Sequence, residues 1–122
     1  MISGIGVDIV ENKRIQFAVE RYGERFLKRV FTDNEIKYCM EKFKSYPCLA
    51  ARFAAKEAFI KASNGLNISH LHDIEVLRNV QGKPSINLLG RAKEFMTFSN
   101  IHLSITHEKE YSVAMVVIEQ AI

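Results

Sequence analysis

The segment that most constrains this chain runs from Leu49 to Ala62. No Gly, Pro or Asn interrupts it and alanine dominates, so intrinsic propensity favours a helix. At ~100° per residue, Ala51, Ala54, Ala55, Ala58 and Ala62 share one face, small enough for a strand or helix to approach closely. The opposite face carries Leu49, Phe53 and Ile60, with Arg52, Lys56, Glu57 and Lys61 among or beside them. A surface helix ordinarily separates a bulky apolar stripe from a charged one. This one mixes them. Charges bordering large apolar groups suit a ligand site, because partial desolvation strengthens their fields. A structural explanation stands beside that one. Lys56 and Lys61 can carry their charges out to solvent over an apolar stem, and Glu57 with Lys61 is an ordinary i,i+4 pair contributing ~0.2–0.5 kcal/mol.

At 122 residues, 48% hydrophobic and 25% charged, residues 1–122 have the size and composition of one globular domain. The net charge of +3 favours anionic partners without identifying one. Two cysteines, Cys39 and Cys48, are too few and too widely spaced for a disulfide framework or a zinc motif. Reduced thiols in a cytoplasmic protein are therefore expected. No apolar run approaches the ~20 residues of a membrane span, and Met1-Ile2-Ser3-Gly4 lacks the basic and apolar regions of a signal peptide.

Alternation predicts a strand over Ile2–Val10. Helical segments are expected over Glu11–Glu20, broken at Tyr22-Gly23, and over Glu24–Val30. Thr32 with Glu35 forms a capping-box pattern opening a helix through about Phe43. Pro47 suits the start of a helix over Cys48–Ser63, and Asn64-Gly65 its stop. Short strands at Ile74–Arg78 and Ser85–Leu88 flank turn chemistry at Gln81–Pro84. A modest helix is expected over Gly90–Phe98. Ile101–His107 and Tyr111–Glu119 form a hairpin around Glu108-Lys109-Glu110. Strands at both ends with helices between them predict an α+β fold, a mainly antiparallel sheet packed against the long central helix.

Three places could carry chemistry. In Gly4-Ile5-Gly6-Val7-Asp8 the glycines and Asp8 point to one side of a strand, and glycines within a strand usually admit a close neighbour. Packing them on the alanine face would bring Asp8 near Glu57. Two carboxylates without His or Cys suit Mg²⁺ beside a phosphate. The motif has neither the third Gly of a dinucleotide fingerprint nor a P-loop ending. The second place is Leu103-Ser104-Ile105-Thr106-His107. Ser104 and His107 fall on opposite strand faces, which speaks against a nucleophile–base pair and for a ligand-contacting or structural role. His70, His72 and His102 show no metal spacing. The third is a basic arm of Lys13, Arg14, Arg21, Arg25, Lys28 and Arg29 with Phe17, Phe26 and Val30 interleaved. It reads either as a solvated face balanced by Glu11, Glu20 and Glu24, or as a docking surface for an acidic protein. An aromatic signature for RNA is absent.

In order, these motifs resemble the holo-[acyl-carrier-protein] synthases, small 4'-phosphopantetheinyl transferases. Gly4-Ile5-Gly6-Val7-Asp8-Ile9 is similar to the family's N-terminal motif, and Arg52–Lys61 to its Lys-Glu-Ala-x-x-Lys helix. Asp73–Val76, Gly82-Lys83-Pro84 and Leu103–His107 follow in the family's order. Ala51 departs from the family, where Gly often precedes the arginine, and adds one methyl to the packing. The resemblance implies transfer of the phosphopantetheine arm of coenzyme A to a serine of an acyl carrier protein, releasing adenosine 3',5'-bisphosphate. It implies that Asp8 and Glu57 hold Mg²⁺ and that Lys61 stabilises the leaving charge. Glu57, directly or through a metal-bound water, is the favoured base. Arg52, Lys83, Thr106 and His107 fall to the nucleotide and its 3'-phosphate. Arg14, Arg21, Arg25 and Phe26 dock the carrier protein, and the assembly is a homotrimer with sites between subunits. Neither nucleic acid nor membrane is an expected partner. A non-catalytic module binding coenzyme A or the carrier protein is the competing reading.

Overall fold

A computed structural model describes residues 1–63, 70–96 and 99–120. In chain order the elements are β1 (Ile2–Glu11), α1 (Asn12–Tyr22), α2 (Glu24–Val30), α3 (Asp33–Met40), α4 (Ser45–Ala62), β2 (Ile74–Arg78), β3 (Pro84–Leu88), β4 (Ser99–His107) and β5 (Tyr111–Gln120). Short 3-10 turns occupy Leu71–Asp73 and Gly90–Met96. One antiparallel sheet has the order β1-β5-β4, and β2 and β3 form a separate antiparallel pair. The α+β class is as expected, although the strands divide between two sheets.

The long helix α4 covers the inner face of the three-stranded sheet. Leu49, Ala50, Ala54, Ala55, Ala58 and Phe59 are fully buried in the core, together with Ala114 and Val116 of β5. The approach to β1 is set by absent side chains. A Cβ added at Gly4 would overlap the backbone carbonyl of Ala62, and one at Gly6 would overlap that of Ala58. Glycine is required there to clear a path for the helix backbone. The strand's other face, Ile5, Val7 and Ile9, stays in solvent.

Local chemistry explains the helix limits. Gly23 has φ +60° and separates α1 from α2. The capping box forms at Thr32 and Glu35, each side chain reaching the other's backbone N–H. α3 ends at Met40 rather than Phe43. α4 starts at Ser45 and takes Pro47 into its first turn, where a missing N–H has no intrahelical partner to lose. The segment after Gly90 is 3-10 rather than α-helical. Its expected end at Thr97-Phe98, and the stop at Asn64-Gly65, lie outside the described residues.

Two expectations are corrected. Lys56 does not reach for solvent; its side chain is wholly buried, with Nζ 2.8 Å from Glu35 Oε1 and donating also to the Leu71 and Ile74 carbonyls. Burial holds the Lys56 pKa below its ordinary value despite the nearby charge of Glu35. Glu35 in turn accepts from the Val76 backbone N–H, so one ion pair joins α3, α4 and β2. The second correction concerns the thiols. Cys39 and Cys48 are joined as a disulfide, with Cα atoms 5.4 Å apart. Counting cysteines missed it because α3 and the first turn of α4 fold back on each other across a short loop. Among the described residues no helix is long and apolar enough to cross a membrane.

Gly6→Ala is expected to lower the free energy of unfolding by about 3 kcal/mol, because the added methyl meets helix backbone that cannot rotate aside. Urea denaturation checks this, and an unchanged midpoint would mean that β1 and α4 separate without cost.

Candidate active site

Because Gly4 and Gly6 bring β1 onto α4, the next residue on the same side of the strand, Asp8, faces the helix one turn from the contact. Lys61 on the outer end of α4 donates from Nζ to the Val7 carbonyl at 3.0 Å and to Asp8 Oδ1 at 3.2 Å. Glu57 lies one helical turn before Lys61, as i,i+4 neighbours do. Its carboxyl is pushed above the ordinary range, first by partial burial and then by the negative charge of Asp8, with Lys61 pulling the other way. Asp8, Glu57 and Lys61 therefore form one electrostatic cluster.

No group of three or more His, Cys, Asp or Glu able to hold a metal occurs among the described residues. Two carboxylates are nevertheless a suitable donor set for a hard cation that keeps most of its water and takes a substrate phosphate. Partial burial and then the charge of Asp8 disfavour an ionised Glu57, a cost that a divalent ion between the two carboxylates would offset. Asp8 and Glu57 fit Mg²⁺ on that ground.

Arg52 faces elsewhere. Glu57 follows it by roughly 7.5 Å along the helix and about 140° around it. The Arg52 side chain is buried, with its guanidinium 4.5 Å from the Tyr38 ring centroid. Nη1 donates to the Cys48 carbonyl at 3.3 Å and contacts Cys48 Sγ at 3.2 Å, while Nε has no partner among the described residues. Burial lowers the Arg52 pKa, opposed by Glu35. The guanidinium lines a cavity of about 910 Å³ with Tyr38, Lys42, Lys44, Arg78 and the hairpin residues His107 and Lys109. The Tyr38 phenol is pulled up by burial, but the hydrogen bond and charge of Lys42, with Arg78 and Arg52 behind, bring it below its ordinary value. The lining is mainly cationic, with Glu108 as its acidic member. A buried guanidinium short of partners beside a cluster of cations has donors to offer an anion such as phosphate.

The sequence-derived residues thus separate into groups. Asp8, Glu57 and Lys61 come together, as do Arg52 and His107, on different sides of α4. Lys83 sits exposed in the β2–β3 turn and does not line the cavity with them; Thr106 is exposed on the outer face of the sheet. Arg14, Arg21 and Arg25 are exposed on α1 and α2, with Arg21 stacked at 6.0 Å from Phe17 and 5.6 Å from Tyr22. Phe26 is half-buried, edge-on to Phe31. Tyr38, Lys42, Lys44 and Arg78 escaped the sequence reading, because only the tertiary fold brings α3 and β2 to Arg52.

Residues 4–116 match the model of the 4'-phosphopantetheinyl transferase superfamily. A holo-[acyl-carrier-protein] synthase of Halothermothrix orenii is 47% identical over 98% of this chain and 99% of its own. The chain belongs to this family. The crystal structure of the synthase from Neisseria meningitidis superposes with a TM-score of 0.87 at 36% identity, covering 98% of this chain and 100% of that one. The synthase from Bacillus anthracis, solved in complex with CoA (3',5'-ADP), gives 0.83 at 36% identity over 99% of both chains. The phosphopantetheinyl transferase fold is therefore the frame on which both residue groups are mounted.

Glu57 holds its proton more tightly in the folded chain than in the unfolded one. Its share of stability is complete below the ordinary carboxylate range and is lost as pH rises through the raised value. Glu57→Gln should therefore raise the thermal midpoint of the metal-free protein at neutral pH, with the gain shrinking on acidification. Thermal unfolding across pH tests this; a variant no more stable than the parent at neutral pH would contradict the electrostatic cost assigned to ionised Glu57.

Proposed function

We propose that this family member moves the 4'-phosphopantetheine arm of coenzyme A to a serine hydroxyl of an acyl carrier protein, requires Mg²⁺, and releases adenosine 3',5'-bisphosphate. The observation that carries the reading is the meeting of Asp8, Glu57 and Lys61 at the glycine-cleared contact of β1 with α4. The serine oxygen attacks the β-phosphorus of the pyrophosphate, a new P–O bond forms, and the bond to the bridging oxygen breaks. Glu57, directly or through a metal-bound water, takes the proton from serine. Lys61 balances charge gathering on the bridging or leaving oxygen. Mg²⁺ held by Asp8 and Glu57 would neutralise the pyrophosphate.

The Arg52–His107 cavity is read as the seat of the nucleotide and its 3'-phosphate, with Lys83 and Thr106 as outer contacts. The complex with CoA (3',5'-ADP) in the Bacillus anthracis relative supports coenzyme A as the donor. Since the carboxylate cluster and the cationic cavity face different sides of α4, one ligand using both needs two chains. The outer sheet face supplies an interface for them. Ile5, Val7, Ile9 and Met115 are 60%, 55%, 62% and 46% exposed, and they adjoin through the pairs Ile5–Val117, Val7–Met115 and Ile9–Val113. A continuous apolar patch of this kind marks an association surface. We read the assembly as a homotrimer, the state that the family resemblance implies. Arg14, Arg21 and Arg25 form the exposed surface on which an acidic carrier protein would dock.

One assay addresses the chemistry: incubation with apo carrier protein, coenzyme A and Mg²⁺, followed by mass spectrometry of the carrier. The native chain should add phosphopantetheine, chelation should stop it, and Glu57→Gln should lower kcat by at least about 10²-fold. In the same assay Arg25→Glu should raise KM for the carrier protein and leave that for coenzyme A alone. Binding of both substrates without transfer would establish a non-catalytic module instead. For the assembly, Met115→Glu should convert trimers to smaller species in sedimentation velocity; a native chain that sediments as a monomer would refute the shared site.

A further inference from the structure

The β4–β5 turn, Glu108-Lys109-Glu110, carries three successive backbone carbonyls beyond the last paired residues, His107 and Ser112. They need partners from elsewhere. One residue supplies all of them. The Asn12 backbone N–H donates to the Glu110 carbonyl at 2.8 Å, and its Nδ2 donates to the Glu108 and Lys109 carbonyls at 3.0 and 3.1 Å. Its remaining acceptor, Oδ1, takes the Ser112 hydroxyl at 2.7 Å. That bond decides which end of the amide faces the turn, since only the NH₂ end can donate. Asn12 is 5% exposed and Ser112 is fully buried. Ser112 Oγ also lies 3.4 Å from the Pro47 carbonyl, at the start of α4.

The position of the turn matters because it divides two cavities. Glu108 and Lys109 line the Arg52–His107 cavity; Lys109 and Glu110 line a second one, of about 570 Å³, with Asn12. Open space lies on both sides of it, so little packing restrains the turn once its hydrogen bonds are removed. The paired strands on either side keep their own ladder, so the fold has no need of Asn12 to form the sheet.

We propose that Asn12 is a positioning residue for coenzyme A. It holds the turn so that His107 and Lys109 face Arg52 across the phosphate cavity, and Ser112 holds the Asn12 amide in the orientation that does so. This rests on the reading of that cavity as the nucleotide site. Asn12 acts through the turn and touches neither the reacting phosphorus nor the Asp8–Glu57 pair. Its removal therefore weakens donor binding and spares the chemical step.

Steady-state kinetics on Asn12→Ala, Ser112→Ala, His107→Ala and the Asn12→Ala/His107→Ala double variant test the proposal. Loss of Asn12 should raise KM for coenzyme A about tenfold, the effect of roughly one net hydrogen bond to a charged ligand lost through misplacement. The kcat at saturating donor should stay near the native value. Ser112→Ala should move KM the same way by less, and it decides the matter if Asn12→Ala does not unfold cooperatively. In the double variant Asn12→Ala should add little to the effect of His107→Ala, as expected of residues acting as a unit. A raised KM in His107→Ala with native KM in the Asn12 and Ser112 variants would overturn this proposal alone. Full additivity, or a fall in kcat at unchanged KM, would also overturn it. Native KM in His107→Ala would overturn the nucleotide-site reading and this proposal with it.

Discussion

The contact between a glycine-cleared strand and an alanine-faced helix is the constraint from which the rest of the molecule follows. Side chains on β1 alternate with period two, so clearing Gly4 and Gly6 for α4 leaves Asp8 as the first functional group on that side. The helix repeats every 3.6 residues, so Ala58 and Ala62 at the contact leave Glu57 and Lys61 at its border. Neither carboxylate is positioned by a dedicated loop. Both are held by a close approach of strand and helix backbone, a stiff mounting for a site whose groups must stay within hydrogen-bond reach.

The same helix handles three charges in three ways. Lys56 is wholly buried and matched to Glu35 and two carbonyls. A pair like this contributes little net stability compared with an apolar equivalent, yet losing one partner leaves a buried charge exposed to no solvent, a cost of about 3–5 kcal/mol. Arg52 is buried but incompletely partnered, which leaves donor capacity for an anion. Glu57 is partly buried against another negative charge, which leaves it short of positive charge. Donor-rich Arg52, satisfied Lys56 and electron-rich Glu57 thus follow one another along a single helix. The departure from amphipathicity is the sum of these separate electrostatic tasks.

Much of this was legible in the chain. The helix, the cleared strand, the capping box and the final hairpin follow from local periodicity and turn chemistry, and the pairing of small face with cleared face led from Gly6 to Glu57. What was not legible depended on contacts far apart in sequence. Nothing local distinguishes Lys56 from a surface lysine, because its partner Glu35 belongs to another helix. The Cys39–Cys48 bond required knowing that α3 and α4 fold back on each other. The wall around Arg52 draws on α3, β2 and the last hairpin, so its members looked like ordinary surface residues. Asn12 looked like an unremarked helix start, since its three acceptors lie almost a hundred positions away.

The sheet order carries a consequence for biosynthesis. β1 lies at the edge of its sheet and, among the described residues, pairs only with β5. During translation the cleared strand emerges well before β5 and has no strand to bond until β5 has left the ribosome. Helices α1 to α4 can form in the meantime from local contacts, but the Asp8–Glu57 neighbourhood waits for β5. Long-range closure of this kind slows folding and leaves Ile5, Val7 and Ile9 on an unpaired strand during synthesis. A ribosome stalled within β5 would therefore hold a chain with every proposed catalytic side chain already made and no sheet on which to assemble them.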